Sequence, residues 1–285
     1  MRKSIKICLL IIILMVILVL SPQGKASIKA VLFIPQILPD IPVKPLEYLS
    51  GTPIRQEIVF TSSAGISEGD IYLPSGDGVH PGVVFFMGIV PPERDEERIV
   101  ALAEGLARTG MVVLIPWLDT QTHNRLMADD IEILVDGFEY LQNHERTDRT
   151  RVGMGGICTG ASMAVVAAQS SRINEEVDFI NSFAGYYNAF DLVKATASAT
   201  KFQSGTSADW APDKLTKNMV TTHLIEGAEV DDREILMEIL NSGIWNQTQF
   251  EALSESGRSV LTLITGPNLS EAQKAINGLN NMAIP

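Results

Sequence analysis

The sequence predicts an α/β protein: three layers, a mostly parallel sheet with helices on both faces, and a C-terminal helical cap segment. Three observations predict it. Short apolar strands alternate with amphipathic helical stretches between residues 81 and 183, the pattern of consecutive βαβ units. The strands are continuous apolar runs, as a sheet buried on both faces requires. After Gly185 the strand signals give out and helical periodicity takes over.

Taken in order, the chain opens with Arg2, Lys3 and Lys6 ahead of an unbroken apolar run over residues 7–20. As a helix this run spans roughly 20 Å, which is short for a bilayer and favours an export signal. The small-residue site near Ala26 is a poor one, so an uncleaved anchor stands as the alternative. Either way the remaining chain is expected outside the cytoplasm, with residues 7–20 as its membrane-associating part. Residues 1–26 are therefore set apart from a core over residues 27–190 and a cap over residues 191–285.

Pro35, Pro39, Pro42, Pro45 and Pro53 break residues 27–53 into short helical or extended pieces. Residues 55–60 and 69–74 alternate polar and apolar around a Gly/Ser turn, which predicts an antiparallel hairpin. Val83, Val84, Phe85 and Phe86 make the first buried strand, ending in the loop that carries Gly88 and Ile89. Ile99, Leu102, Ala103 and Leu106 then recur at helical spacing up to Gly110. Residues 111–115 form a second buried strand, stopped by Pro116. A helix over residues 128–143 follows, with Ile131, Leu134, Val135, Phe138 and Leu141 on one face. Residues 151–155 are a third strand, residues 162–170 a helix and residues 177–183 a fourth strand. Beyond them, residues 192–199, 215–226, 232–240 and 273–279 read as helices, with Asp231 as an N-cap. Residues 260–264 also have a helical setting.

Composition narrows the function. The 22 Lys+Arg against 34 Asp+Glu give a formal charge of -12, which argues against a nucleic-acid partner. No zinc spacing, phosphate loop or dinucleotide fingerprint occurs, so the reading calls for neither metal nor cofactor. Cys8 lies in the apolar run, leaving Cys158 as the only thiol of the exported part. Such a thiol is either a buried small hydrophobe or a reactive group.

Its surroundings favour reactivity. Gly156-Ile157-Cys158-Thr159-Gly160 stands between a predicted strand and a predicted helix, the setting of a nucleophile elbow with Cys in place of Ser. A nucleophile on so sharp a turn needs Gly156 and Gly160 on either side so that the backbone reverses without clashes. The helix N-terminus then favours thiolate over thiol. The Thr159 backbone N–H and one from the loop near Ile89 would form an oxyanion hole.

With these residues in place, the sequence resembles the dienelactone hydrolase-like branch of the α/β-hydrolases, from about residue 55 to the C-terminus. The likeness rests on Ile71-Tyr72-Leu73-Pro74, residues 81–86, 102–117 and 151–161, and Ser182-Phe183-Ala184-Gly185-Tyr186-Tyr187. Dienelactone hydrolases use Cys at the nucleophile position, which the resemblance carries to Cys158. It implies an α/β-hydrolase-type fold and hydrolysis of a small ester-type substrate. Met87-Gly88 stands where members often have His-Gly. The resemblance also implies an acid and a histidine on two further strands after a helical insertion, and here the chain ends at Pro285 with that insertion barely complete.

The histidines are His80, His123, His144 and His223. Only His223 follows Cys158, and it falls in a predicted cap helix. His123, in the loop after the second buried strand, lies where open α/β sheets gather their sites. His123, His223 and Asp119 are the candidate base and acid, each with a bland alternative as a surface or capping residue. Three readings follow: a hydrolase of an ester, thioester or lactone acting through Cys158; an inactive, hydrolase-like binding protein at the membrane or outside the cytoplasm; and an incomplete chain.

Overall fold

The computed structural model describes residues 20–63, 65–89, 94–123, 125–203 and 206–279. Six strands form one sheet: β1 (Ile54–Ser62), β2 (Gly65–Leu73), β3 (His80–Phe86), β4 (Val112–Trp117), β5 (Thr147–Ile157) and β6 (Val177–Phe183), in the spatial order β1-β2-β4-β3-β5-β6. β4, β3, β5 and β6 are parallel neighbours, while β2 runs antiparallel to both β1 and β4. The fold class is thus the three-layer α/β architecture expected, with the predicted hairpin as β1–β2.

Strand alternation divides the core into two. Val84, Phe86, Leu114 and Met154 point to one face, where they meet α5 (Asp130–Asn143) and α6 (Thr159–Ala167) through Phe138, Leu141 and Ala164. Val83, Phe85, Val113 and Ile115 point to the other, against Ile99, Ala103 and Ala107 of α3 (Glu97–Arg108). This is the period of two that a strand buried on both faces must show. The first cluster continues without a break through Val193, Leu224, Leu236 and Val260 into the C-terminal helices.

Those helices are α7 (Ala189–Ala197), α8 (Lys214–Gly227), α9 (Val230–Ser242), α10 (Gln247–Ala252), α11 (Glu255–Ile264) and α12 (Leu269–Asn277). Between α7 and α8 lies a small hairpin, β7 (Thr200–Gln203) with β8 (Thr206–Asp209), that periodicity did not reveal.

Three expectations need correction. β4 does not stop at Pro116 but runs to Trp117. Its parallel pairing with β3 ends at Leu114 while its pairing with β2 continues, so the missing N–H of Pro116 falls where β4 is bonded on one side only. Asp231 is not the cap of α9, whose N-cap position is Glu229. Asp232 is instead turned inward, where its carboxylate accepts the Ser254 N–H and hydroxyl and ties α9 to the start of α11. Nor is the N-terminal stretch all short pieces. α1 (Pro22–Ile37) runs 16 residues with Pro35 in its last turn, and α2 (Pro45–Leu49) follows. Apart from Leu20, the apolar run lies outside the described residues, and among these no helix is long and apolar enough to cross a membrane.

Candidate active site

β5 feeds directly into α6 through Cys158, whose backbone sits at φ 56 and ψ -127. This is a conformation that L-residues avoid and that persists only where the surroundings impose it. The imposition comes from close backbone packing. A Cβ on Gly160 would lie 2.2 Å from the Phe86 carbonyl oxygen, and one on Gly156 would lie 2.5 Å from the Gly160 carbonyl carbon. Gly88, at φ 69, presses on the same point, since a Cβ there would be 2.3 Å from Thr159 Oγ1. The ends of β3 and β5 and the first turn of α6 therefore meet with no room for a side chain. On the far side the Cys158 N–H donates to the Phe183 carbonyl at 2.9 Å, and Ala184 beyond it also has positive φ, 57.

The Cys158 side chain is exposed. Cys158 stands at the N-cap position of α6, so the first amides of that helix face it without intrahelical acceptors. The Thr159 amide is the first of them. The Ile89 N–H is engaged differently: it donates to Thr159 Oγ1 at 3.3 Å in a buried contact. The loop bearing it is braced by Gln121, a buried side chain that accepts the Leu118 N–H and donates to the Gly88 carbonyl. Only backbone amides were expected to matter at this spot. The Thr159 hydroxyl and Gln121 carried no sequence signal, because their partners lie 70 and 33 residues away.

Across the elbow, Ser162 Oγ donates to the Tyr186 carbonyl at 2.8 Å and accepts the Tyr186 N–H at 2.9 Å. Burial, and then the charge of Cys158, push the Tyr186 phenol above its usual pKa. Ser162, Tyr186 and Gly185 also line an apolar cavity of about 590 Å³ with Met127, Ile131 and Val166.

The candidate bases are engaged by groups other than the thiol. His223 lies on α8, with Nδ1 2.9 Å from the Met219 carbonyl and Nε2 3.1 Å from the Leu126 N–H. Nε2 is also 3.1 Å from the Leu126 carbonyl, so backbone engages both ring nitrogens and the ring pins α8 to the segment before α5. His123 and Asp119 do come together, at the two ends of the one-turn helix α4 (Asp119–Thr122). His123 Nδ1 is 3.0 Å from the Asp119 carbonyl and 3.9 Å from its carboxylate. Both follow β4, however, and β3 lies between β4 and the strand that carries Cys158. Among the described residues, no histidine makes a hydrogen bond to Cys158, and no cluster of His, Cys, Asp and Glu is placed to hold a metal ion.

No protein-family model and no curated protein matches the chain. Solved structures to which it is similar include a hyperthermophilic esterase from Pyrobaculum calidifontis, at 16% identity and a TM-score of 0.43 over 90% of this chain and 99% of that one. Acylaminoacyl peptidase from Pyrococcus horikoshii matches at 17% identity and a TM-score of 0.40, over 50% of this chain and 25% of the peptidase, so the chain spans about a quarter of that protein's length. A dienelactone hydrolase-like promiscuous phosphotriesterase from metagenomic libraries matches at 18% identity and a TM-score of 0.40, over 47% and 60% of the two chains.

Proposed function

We propose that the chain is an α/β-hydrolase-like protein whose Cys158 accepts the acyl group of a small ester, thioester or lactone outside the cytoplasm. The observation that carries this reading is the backbone of Cys158, held at φ 56 between two glycines on a strand-to-helix turn. Strain of that kind at an exposed thiol is what a nucleophile elbow requires.

In the reaction the Cys158 thiolate adds to the substrate carbonyl carbon, forming a C–S bond and moving the C=O π electrons onto oxygen. The Thr159 amide, with the Ile89 amide once Thr159 Oγ1 gives way, stabilises that oxyanion. Collapse expels the alkoxide or thiolate, which takes up a proton, and leaves a thioester on Cys158. Water then adds to the thioester, releasing the carboxylic acid and restoring the thiol. A free thiol is already a few per cent ionised near neutral pH, so the first half needs little help. The second half needs a base, and Asp119 with His123 is the pair closest to that description. The engagement of both His223 nitrogens by backbone favours a second reading, an acyl-binding protein that turns over slowly or not at all.

The test is to expose the full chain and Cys158→Ala to p-nitrophenyl acetate while following acyl-enzyme mass and product release. The hydrolase reading expects an acetyl adduct on Cys158, followed by turnover, with both lost in the variant. An adduct without turnover selects the second reading. Wild type with no adduct, in protein shown to be folded, sinks acyl transfer altogether.

A further inference from the structure

The cavity beside the elbow suits carbon rather than charge. Its volume of about 590 Å³ falls within the range of small-molecule sites, about 300–1,000 Å³. Among the described residues that line it there is no Asp, Glu, Lys or Arg, and Met127, Ile131, Met163 and Val166 contribute apolar walls. Two of its polar side chains are already engaged. Ser162 Oγ is held by the Tyr186 backbone, and Gln169 Nε2 donates to the Val165 carbonyl at 3.0 Å. A charge carried into this space would find no counter-charge and would go uncompensated.

The cavity starts at the thiol's own helix. Ser162, Val165, Val166 and Gln169 follow Cys158 at three- and four-residue spacing, so α6 and the turn after it present one face to the cavity. From Cys158 to Val166 that face runs about 12 Å, at about 1.5 Å per residue. Tyr186 also lines the cavity, close enough to Cys158 for the thiol's charge to act on its phenol. With Leu126 and Ala189 it borders a second chamber of about 30 Å³, set between Val193 of α7 and Met219 and Leu224 of α8. That is about the space one water takes in the liquid, room for the end of a chain but not for a ring.

We propose that the cavity holds an unbranched, uncharged hydrocarbon chain belonging to a molecule whose reactive head stands at Cys158. Taking that head as an ester, and the chain as its acyl part, rests on acyl transfer to Cys158; the chain site itself does not. With that head, the substrates are esters of medium-chain acids rather than acetates or carboxylate-bearing lactones.

The test modifies the thiol by a reaction that needs no acyl transfer. The Cys158 thiolate displaces iodide from iodoacetamide or from N-octyl iodoacetamide, forming a C–S bond, and intact mass follows the rate. The full chain is used in a Cys8→Ser background, alone and with Val166→Trp or Met127→Trp to fill the cavity. Val166 and Met127 are 53% and 46% exposed, so the larger rings do not unpack the core. Leu240→Trp, at an exposed position of α9, is the control. Each buried methylene favours binding by about fourfold, so the ratio of octyl to plain rates should fall by about tenfold or more in both filling variants and hold in the control. Detergent takes up the octyl reagent alike in all four proteins and cancels from the comparison. A reagent whose alkyl chain ends in a carboxylate should show no such dependence. A ratio indifferent to Val166→Trp and Met127→Trp, in folded protein, overturns the proposal, and so does an equal advantage for the carboxylate reagent. p-Nitrophenyl octanoate beside the acetate separates the two readings. Octyl alkylation that senses the cavity, with no acylation by either ester, upholds the chain site and removes the ester head alone.

Discussion

The two neighbours of β5 leave the elbow in opposite states. On the β3 side, backbone meets backbone: Gly88, Gly156 and Gly160 close the junction, and Gln121 locks the adjoining loop. On the β6 side the backbone ladder, ending in the Cys158 N–H on the Phe183 carbonyl, is joined by the adjustable hydroxyl of Ser162, and among the described residues the strand is the open edge of the sheet. Ile180 and Phe183 are exposed there, the latter at 66%, and Ser182 of the same strand lines the apolar cavity. The tight glycine packing at Cys158 therefore lies on one side only, and the space beside the elbow is left to the other. Rigid packing against β3 sets the Cys158 backbone, while the apolar cavity lies on the looser flank.

A pair of matched substitutions separates the two flanks. Gly160→Ala puts a methyl 2.2 Å from the Phe86 carbonyl oxygen and 2.5 Å from the Gly88 nitrogen, both backbone atoms that cannot swing aside. It should cost about 4 kcal/mol or more, at the far end of single substitutions, or prevent folding. Gly185→Ala, on the β6 side, meets Ser182 Oγ at 3.0 Å and Ser162 Oγ at 3.1 Å. Those hydroxyls can adjust, so about 1 kcal/mol is expected. Urea unfolding of the two variants measures both, and equal losses would erase the distinction between the flanks.

A middle-sized effect is expected at Thr159, within the rigid flank. Thr159→Ala removes the hydroxyl that now takes the Ile89 N–H. An unpaired buried donor costs about 1–3 kcal/mol, so the unfolding midpoint should fall. The freed amide is then open to a substrate oxygen, and acylation of Cys158 should quicken at the same time. Stability and acylation rate moving in opposite directions would identify the hydroxyl as a stopper in the oxyanion hole. If both fall together, Thr159 is instead part of that hole.

These expectations mark how far the sequence can be read. The strand-to-helix turn at Cys158 was legible because its requirements are local: two glycines around one residue, an apolar strand before it and a helix after it. The sheet was legible for the same reason, since runs such as Val83 to Phe86 declare burial on both faces without reference to anything distant. Thr159 Oγ1 on Ile89, Gln121 on Gly88 and His223 on Leu126 are different. Each joins residues far apart in the chain, and the side chain alone does not name its partner. The N-cap of α9 was misplaced because several acidic residues fit the local pattern, and the burial of Asp232 beneath Ser254 is a tertiary fact. Asn246 and Asn268, which also fit a glycosylation pattern, spend their side-chain oxygens capping α10 and α12.

The smallest thermodynamic effect is expected on the open flank. Ile180→Lys replaces a half-exposed side chain of β6 and should change the unfolding free energy by no more than about 0.5 kcal/mol. Its consequence lies in association, because an unpaired strand with apolar side chains is a template for edge-to-edge pairing and a lysine there obstructs it. Light scattering in detergent should give a lower mean mass for the variant than for the wild type at equal concentration, with coincident unfolding curves. A large loss of stability would mean that β6 is packed rather than bare. The contrast between the flanks would then be one of chemistry and not of order, and the search for the group that activates water would return to the rigid side, beginning with Asp119 and His123.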